Sequence, residues 1–157
     1  MRDIVSKLGT VRSALTSGTI AVLGSNTTRN GSDINNANYN GVMFYIFPGT
    51  YTDGTHTFTI QEADDNGSGA AGSYTNVATT DLVAWKATST TDTTPVRVGN
   101  AQPAAISSAG TNIYQRIGYI GAKQWVRISV TSTGVTTGAS YEAVAVLGEP
   151  RVLPAAV

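Results

Sequence analysis

The most constraining feature of this chain is the way its apolar residues recur at a period of two in short segments, each closed by glycine, proline or an Asx residue. His56, Phe58 and Ile60 fall on one side while Thr57, Thr59 and Gln61 fall on the other, the alternation of a half-buried strand. Residues 42–47 are a short apolar run closed by Pro48-Gly49, as in a buried central strand. Val126, Ile128 and Val130 share a face opposite Trp125, Arg127 and Ser129, and residues 141–147 supply a last strand reached through Gly134 and Gly138. Residues 113–120 and 123–130 flank Gly121-Ala122, the spacing of an antiparallel hairpin. Weaker strands are expected at 19–23, 74–78, 81–85 and 96–98. A further short one near Ile34 lies inside the Asn-, Thr- and Ser-rich stretch 25–40.

Many short strands between Gly- and Asx-rich turns specify an all-β fold, a two-sheet β-sandwich of jelly-roll type, and exclude an α/β architecture. A chain of 157 residues is enough for one such core. The expected organisation is an N-terminal arm over 1–18, the sandwich over 19–149 and a tail over 150–157. Ile4, Leu8, Val11 and Leu15 recur at helical spacing, so the arm is either a short amphipathic helix over 3–16 or an extended segment lying on a partner. The tail, from Pro150 through Arg151, Val152 and Leu153, is apolar and proline-stiffened, which suits it to an extended lie along a partner.

Ten basic and ten acidic residues cancel, so no global charge draws the chain to nucleic acid or to an anionic membrane. Charged residues are 13%, about half the usual share, and the polar surface they leave suits a protein packed against neighbours. Cysteine is absent, which excludes disulfides, thiolate metal sites and thiol nucleophiles. The opening residues carry charge where a signal peptide needs an apolar core, so synthesis in the cytoplasm and a soluble product are expected.

The candidate chemistry is thin, and no enzymatic activity is expected. His56 is the one histidine; a triad would need a nucleophile and a carboxylate beside it. Residues 62–68 concentrate Glu62, Asp64 and Asp65, but a calcium loop needs a glutamate at its twelfth position and residue 75 is threonine. Asp65-Asn66-Gly67 is turn chemistry, so no metal and no cofactor is expected. Gly67, Gly69 and Gly72 match a dinucleotide fingerprint in letters only, because they precede a strand. Arg116, Lys123 and Arg127 fall on or beside the expected hairpin with Trp125 and Tyr119 nearby, the mixture a stacking nucleic-acid platform uses, but the zero net charge and the ordinary use of Arg on outward strand faces argue against it.

The stretch Thr52-Asp53-Gly54-Thr55-His56-Thr57, then Gln61-Glu62-Ala63-Asp64-Asp65-Asn66-Gly67, resembles a family of small proteins encoded in tailed-phage and prophage genomes. The likeness continues through residues 116–127 (Arg116-Ile117-Gly118-Tyr119 onward) and 145–151, and reaches back to Met1-Arg2-Asp3. It implies a virion component, and the reading it favours is a cement or decoration subunit on the phage head. That reading makes the major capsid protein the partner, expects self-association as a homo-trimer, and assigns contacts to Ile4, Leu8, Val11, Leu15, Arg151, Val152 and Leu153. A glycan-binding, host-attachment module is the alternative, and Trp85, Trp125 and Tyr51 would be its stacking aromatics.

Overall fold

The structure is a computed structural model that describes residues 8–14, 21–89, 91–92 and 94–150. Its strands in chain order are β1 (Leu8–Ser13), β2 (Ala21–Val22), β3 (Thr28–Asn30), β4 (Ile34–Asn35), β5 (Tyr39–Tyr51), β6 (Thr55–Ala63) and β7 (Thr75–Asn76). They continue with β8 (Leu82–Lys86), β9 (Val96–Gly99), β10 (Gln115–Tyr119), β11 (Trp125–Thr133) and β12 (Ala139–Pro150). Among the described residues these form two antiparallel sheets. The larger runs β1-β12-β5-β10-β8-β9 with β2 also on β12, and the smaller runs β3-β11-β6-β7 with β4 also on β11.

Leaving aside β2, β4 and the added pair β8 and β9, the order is that of a jelly roll: β1-β12-β5-β10 faces β3-β11-β6-β7. The period-two residues explain the closure. Val42, Phe44, Ile46, Ile117, Tyr119, Tyr141, Ala143 and Ala145 from the large sheet meet Phe58, Ile60, Val126, Ile128 and Val130 from the small one in a single buried cluster. Two glutamines tie the segment after β9 to both sheets. Gln102 accepts from the Ile60 N–H at 2.7 Å and donates to the Ile60 and Val77 carbonyls. Gln115, fully buried, does the same with the backbone of Ala104. Each amide stands in for a strand partner, which satisfies backbone groups that would otherwise be buried unpaired.

Three sequence expectations need correction. The helix over 3–16 is not formed across Leu8–Ser13, which is a strand with Val11 in register with Val146; the segment is extended there, on the chain's own β12 and not on a partner. Ile4 and Leu15 lie outside the described residues. The hairpin across Gly121-Ala122 does not exist: both edges of β10 are taken, by β5 and β8, and β11 pairs β6, β3 and β4 in the other sheet. The connection instead crosses between sheets, and the Tyr119 hydroxyl holds it by accepting from the Lys123 N–H at 2.9 Å. Finally, Pro48-Gly49 does not end its strand. β10 pairs β5 no further than Ile46, while β12 follows on to Tyr51 through a register shift between Ala139 and Tyr141. Proline is tolerated at such an edge or bulge because no ladder bond is lost.

Candidate functional site

The two outer faces of the sandwich differ in chemistry. On the small sheet, Thr57, Thr59 and Gln61 of β6 lie beside Trp125, Arg127 and Thr131 of β11, a polar surface of the kind an antiparallel sheet turns to water. Arg127 lies over the Tyr74 ring at 3.8 Å and donates from Nε to Gln61. On the large sheet, register sets the outward residues in rows across the strands. One row is Val144, Tyr45, Arg116, Trp85; the next is Val146, Met43, Gly118, Val83; and Glu142 stands across from Phe47. Arg116 and Glu142 are the charged side chains in these rows.

At one end of this face Tyr45 and Phe47 are nearly parallel, at 9°, and Tyr114 is inclined to them by 27° and 31°, with centroids 6.2, 6.2 and 5.3 Å apart. Three parallel rings in a column would separate the outer two by twice the spacing. The triangle of centroids therefore means the rings are shingled over the sheet, and Phe47 keeps 43% of its surface. The Arg116 guanidinium caps Trp85 at 4.7 Å from the ring centroid, a cation–π contact. At the other end is a trough of about 330 Å³ whose lining includes Gly41, Met43, Val83, Trp85, Gly118 and Gly148.

The residues singled out from the sequence are dispersed. Arg116 lies on the large sheet and Arg127 on the small one, and Lys123 is paired with Asp64. The structure therefore does not bring together the cationic platform considered for nucleic acid. Of the three aromatics proposed for stacking, Trp85 is on the large sheet under Arg116. Trp125 donates to Asp65 at 3.2 Å, and Tyr51 donates to the Gly54 carbonyl at 2.8 Å. The shingled trio was missed because Tyr45 and Phe47 read as part of one buried run, although they point opposite to Phe44 and Ile46. The outward parity was legible; the packing of Tyr114, just before β10, against Phe47 was not.

His56 is fully buried. Its Nδ1 is 2.9 Å from Ser132 Oγ, and its Nε2 donates to the backbone carbonyl of Asp53 at 3.0 Å. The partner of Nε2 is thus a carbonyl and not a carboxylate. The Asp53 carboxylate turns away and accepts the N–H groups of Thr136, Thr137 and Gly138. In the 62–68 stretch the carboxylates are likewise engaged. Asp65 accepts from Gly67 and Gly69 as well as from Trp125, and Glu62 accepts from the Tyr119 hydroxyl at 2.7 Å. The Trp125 indole N–H, then those two backbone donors, hold Asp65 below the usual carboxylate range. Burial, with Glu62 as its hydrogen-bond acceptor, pushes the Tyr119 hydroxyl well above the ordinary tyrosine value. Among the described residues no three or more His, Cys, Asp and Glu side chains converge as a metal would require, and no helix is long and apolar enough to cross a membrane.

The fold and this face define a jelly-roll sandwich with one polar and one apolar outer surface. No known protein family and no curated protein matches the sequence. Among solved structures, the SPBc2 prophage-derived protein YomS is similar over 87% of this chain and 91% of its own, at 14% identity and a TM-score of 0.41. A family 11 carbohydrate-binding module from Clostridium thermocellum, in complex with a β-1,3-1,4-mixed-linked tetrasaccharide, is similar over 93% of this chain and 97% of its own. There the identity is 12% and the TM-score 0.19. These likenesses transfer no residue and no role.

Proposed function

We propose that this chain is a structural subunit of a tailed-phage virion that sits on the head as a cement or decoration protein and bridges capsid subunits, itself self-associated as a trimer. The observation that carries the reading is the contrast between the two outer faces. A solvated antiparallel sandwich turns polar residues outward on both sides, whereas here the large sheet presents Val144, Tyr45, Val146, Met43 and Phe47. A largely apolar face on a small domain, here interrupted by Arg116 and Glu142, marks a surface that is covered in the working state. The polar face of the small sheet is then the one left to solvent. The family resemblance to phage and prophage proteins agrees with that use. The test compares particles assembled with and without the protein. The subunit is expected to co-sediment with heads, and heads carrying it are expected to survive heat and osmotic shock that open bare ones. Equal survival of both populations would sink the reading.

One observation favours a second reading, a glycan-binding attachment module. The shingled Tyr45, Phe47 and Tyr114 rings offer the broad aromatic surface on which a sugar's C–H face stacks, next to Glu142 as an acceptor for hydroxyls. Titration with host surface polysaccharide decides it. Saturable binding that disappears in Phe47→Ala supports the module, and absence of binding at millimolar sugar removes it.

A further inference from the structure

We infer that the trough on the outer face of the large sheet is the receptor for residues 152–157, from the segment that follows β12, supplied by a second copy of this chain. The trough exists because Gly148, Gly41 and Gly118 occupy outward positions on three adjacent strands, β12, β5 and β10, where register sets Gly148 beside Gly41 and Gly118 beside Met43. Without side chains there, backbone forms the floor. Met43, Val83, Trp85 and Val146 wall it, and Ile120, 61% exposed, stands at its rim. Among the described residues no charged side chain lines it, so an anionic or cationic ligand would lose its hydration without a partner. The occupant has to be apolar and narrow.

The sequence supplies one such segment. Beyond Arg151 it reads Val152-Leu153-Pro154-Ala155-Ala156-Val157, uncharged, small-to-medium in bulk and proline-stiffened. Fully extended, these six residues reach about 20 Å, which exceeds the ~14 Å between the outer two of four adjacent strands. The segment can therefore lie across β12, β5, β10 and β8. The strand direction decides which copy provides it. β12 passes the trough at Val146 and Gly148 and is still paired with β5 at Pro150, opposite Tyr39. The end of β12 thus lies beyond the trough, and a chain would have to reverse there to enter the trough of its own copy. A neighbouring copy meets no such constraint, and reciprocal exchange of segments closes a symmetric oligomer. The inference rests on the virion-subunit reading only for its purpose and can fail or hold without it.

The experiment uses the full chain, the chain shortened to residues 1–150, and the octapeptide of residues 150–157. The full chain is expected to self-associate in analytical ultracentrifugation and the shortened chain to sediment as a monomer. The octapeptide should bind the shortened chain, with amide and indole NMR shifts confined to the residues around Trp85, Met43 and Gly118. Gly118→Val fills the floor. A Cβ there meets Met43 Cε at 3.4 Å and Trp85 Cζ3 at 3.6 Å, ordinary contacts, so the variant is expected to fold and to weaken peptide binding by roughly tenfold or more. Ile120→Ser, at the exposed rim, provides a second variant with no core role and is expected to weaken binding several-fold. Three results overturn the inference: no peptide binding to the shortened chain, binding that both substitutions leave intact, or a monomeric full chain whose trough refuses added peptide, which would place the segment in its own trough. Shifts confined to another surface would likewise overturn it, by placing the segment elsewhere on the neighbouring copy. If the oligomer and peptide results hold but heads do not bind the protein, the inference stands and the cement reading falls.

Discussion

The Asp53 carboxylate accepts the Gly138 N–H at 2.7 Å, and through it the turn before β12 is fixed to the turn before β6. The N–H groups of Thr137 and Gly138, with Thr136 behind them, hold Asp53 below the ordinary carboxylate value. A carboxylate whose folded value is depressed contributes stability that is complete above its unfolded value and is lost as pH falls through the folded one. Melting temperature is therefore expected to fall on acidification from about pH 4 downward. Asp53→Asn, which mimics the uncharged state, should melt lower than the native chain at neutral pH, and the two curves should converge in acid. Calorimetry across this range checks it, and parallel curves at every pH would refute the assignment.

Two glycines with similar positive φ separate strain from collision. Gly138 has φ 85°, and a Cβ there would lie 2.0 Å from the Leu23 carbonyl oxygen. Gly67 has φ 85° and nothing within 4 Å. Gly67→Ala should cost only the left-handed backbone penalty, about 1–2 kcal/mol. Gly138→Ala adds backbone overlap and is expected to cost more than about 3 kcal/mol. Denaturant unfolding of both variants measures the gap, and equal costs would mean that the Leu23 approach is not maintained in solution.

Tyr141 is fully buried against Phe58 and His56, with ring centroids at 5.2 and 5.5 Å, and its hydroxyl finds no partner among the described residues. Burial pushes that hydroxyl well above the ordinary tyrosine value. Removing a buried, unpaired hydroxyl while keeping the ring relieves desolvation, so Tyr141→Phe is expected to be neutral or to stabilise by up to ~1 kcal/mol. A loss above that, in the same denaturant assay, would reveal a partner for the hydroxyl in solution.

Strands that bury alternate residues were legible, because β6, β11 and β12 carry the period of two in the side chains themselves. β3 was not, since all of its residues are exposed and only its backbone pairing to β11 makes it a strand. Sheet membership was equally hidden. The stretch around Gly121-Ala122 has hairpin spacing, and what forbids the hairpin is that β5 and β8 already occupy β10, a fact of tertiary pairing. The helical spacing of Leu8 and Val11 was overridden in the same way, by a free edge on β12. Arg151, Val152 and Leu153, read as contacts, lie outside the described residues. The apolar outer face is the most instructive omission: its residues were visible one strand at a time, but a face exists only once register sets Val144, Tyr45, Arg116 and Trp85 in one row.

That row supplies the last prediction. Val144 is half-buried on β12 beside Tyr45, and Thr57 is exposed on the outer face of β6. A glutamate at either place projects outward, so neither should disturb the core, and each is expected to change folding stability by less than about 1 kcal/mol. Their effects on assembly should differ. Val144→Glu buries an unpaired charge if the large sheet is the docking face, whereas Thr57→Glu leaves its charge in water if the small sheet faces solvent. Co-sedimentation with heads is expected to weaken roughly tenfold or more for Val144→Glu and to remain unchanged for Thr57→Glu. The reverse order would turn the subunit over on the shell, and equal, undiminished binding by both variants would leave neither sheet face in contact with it.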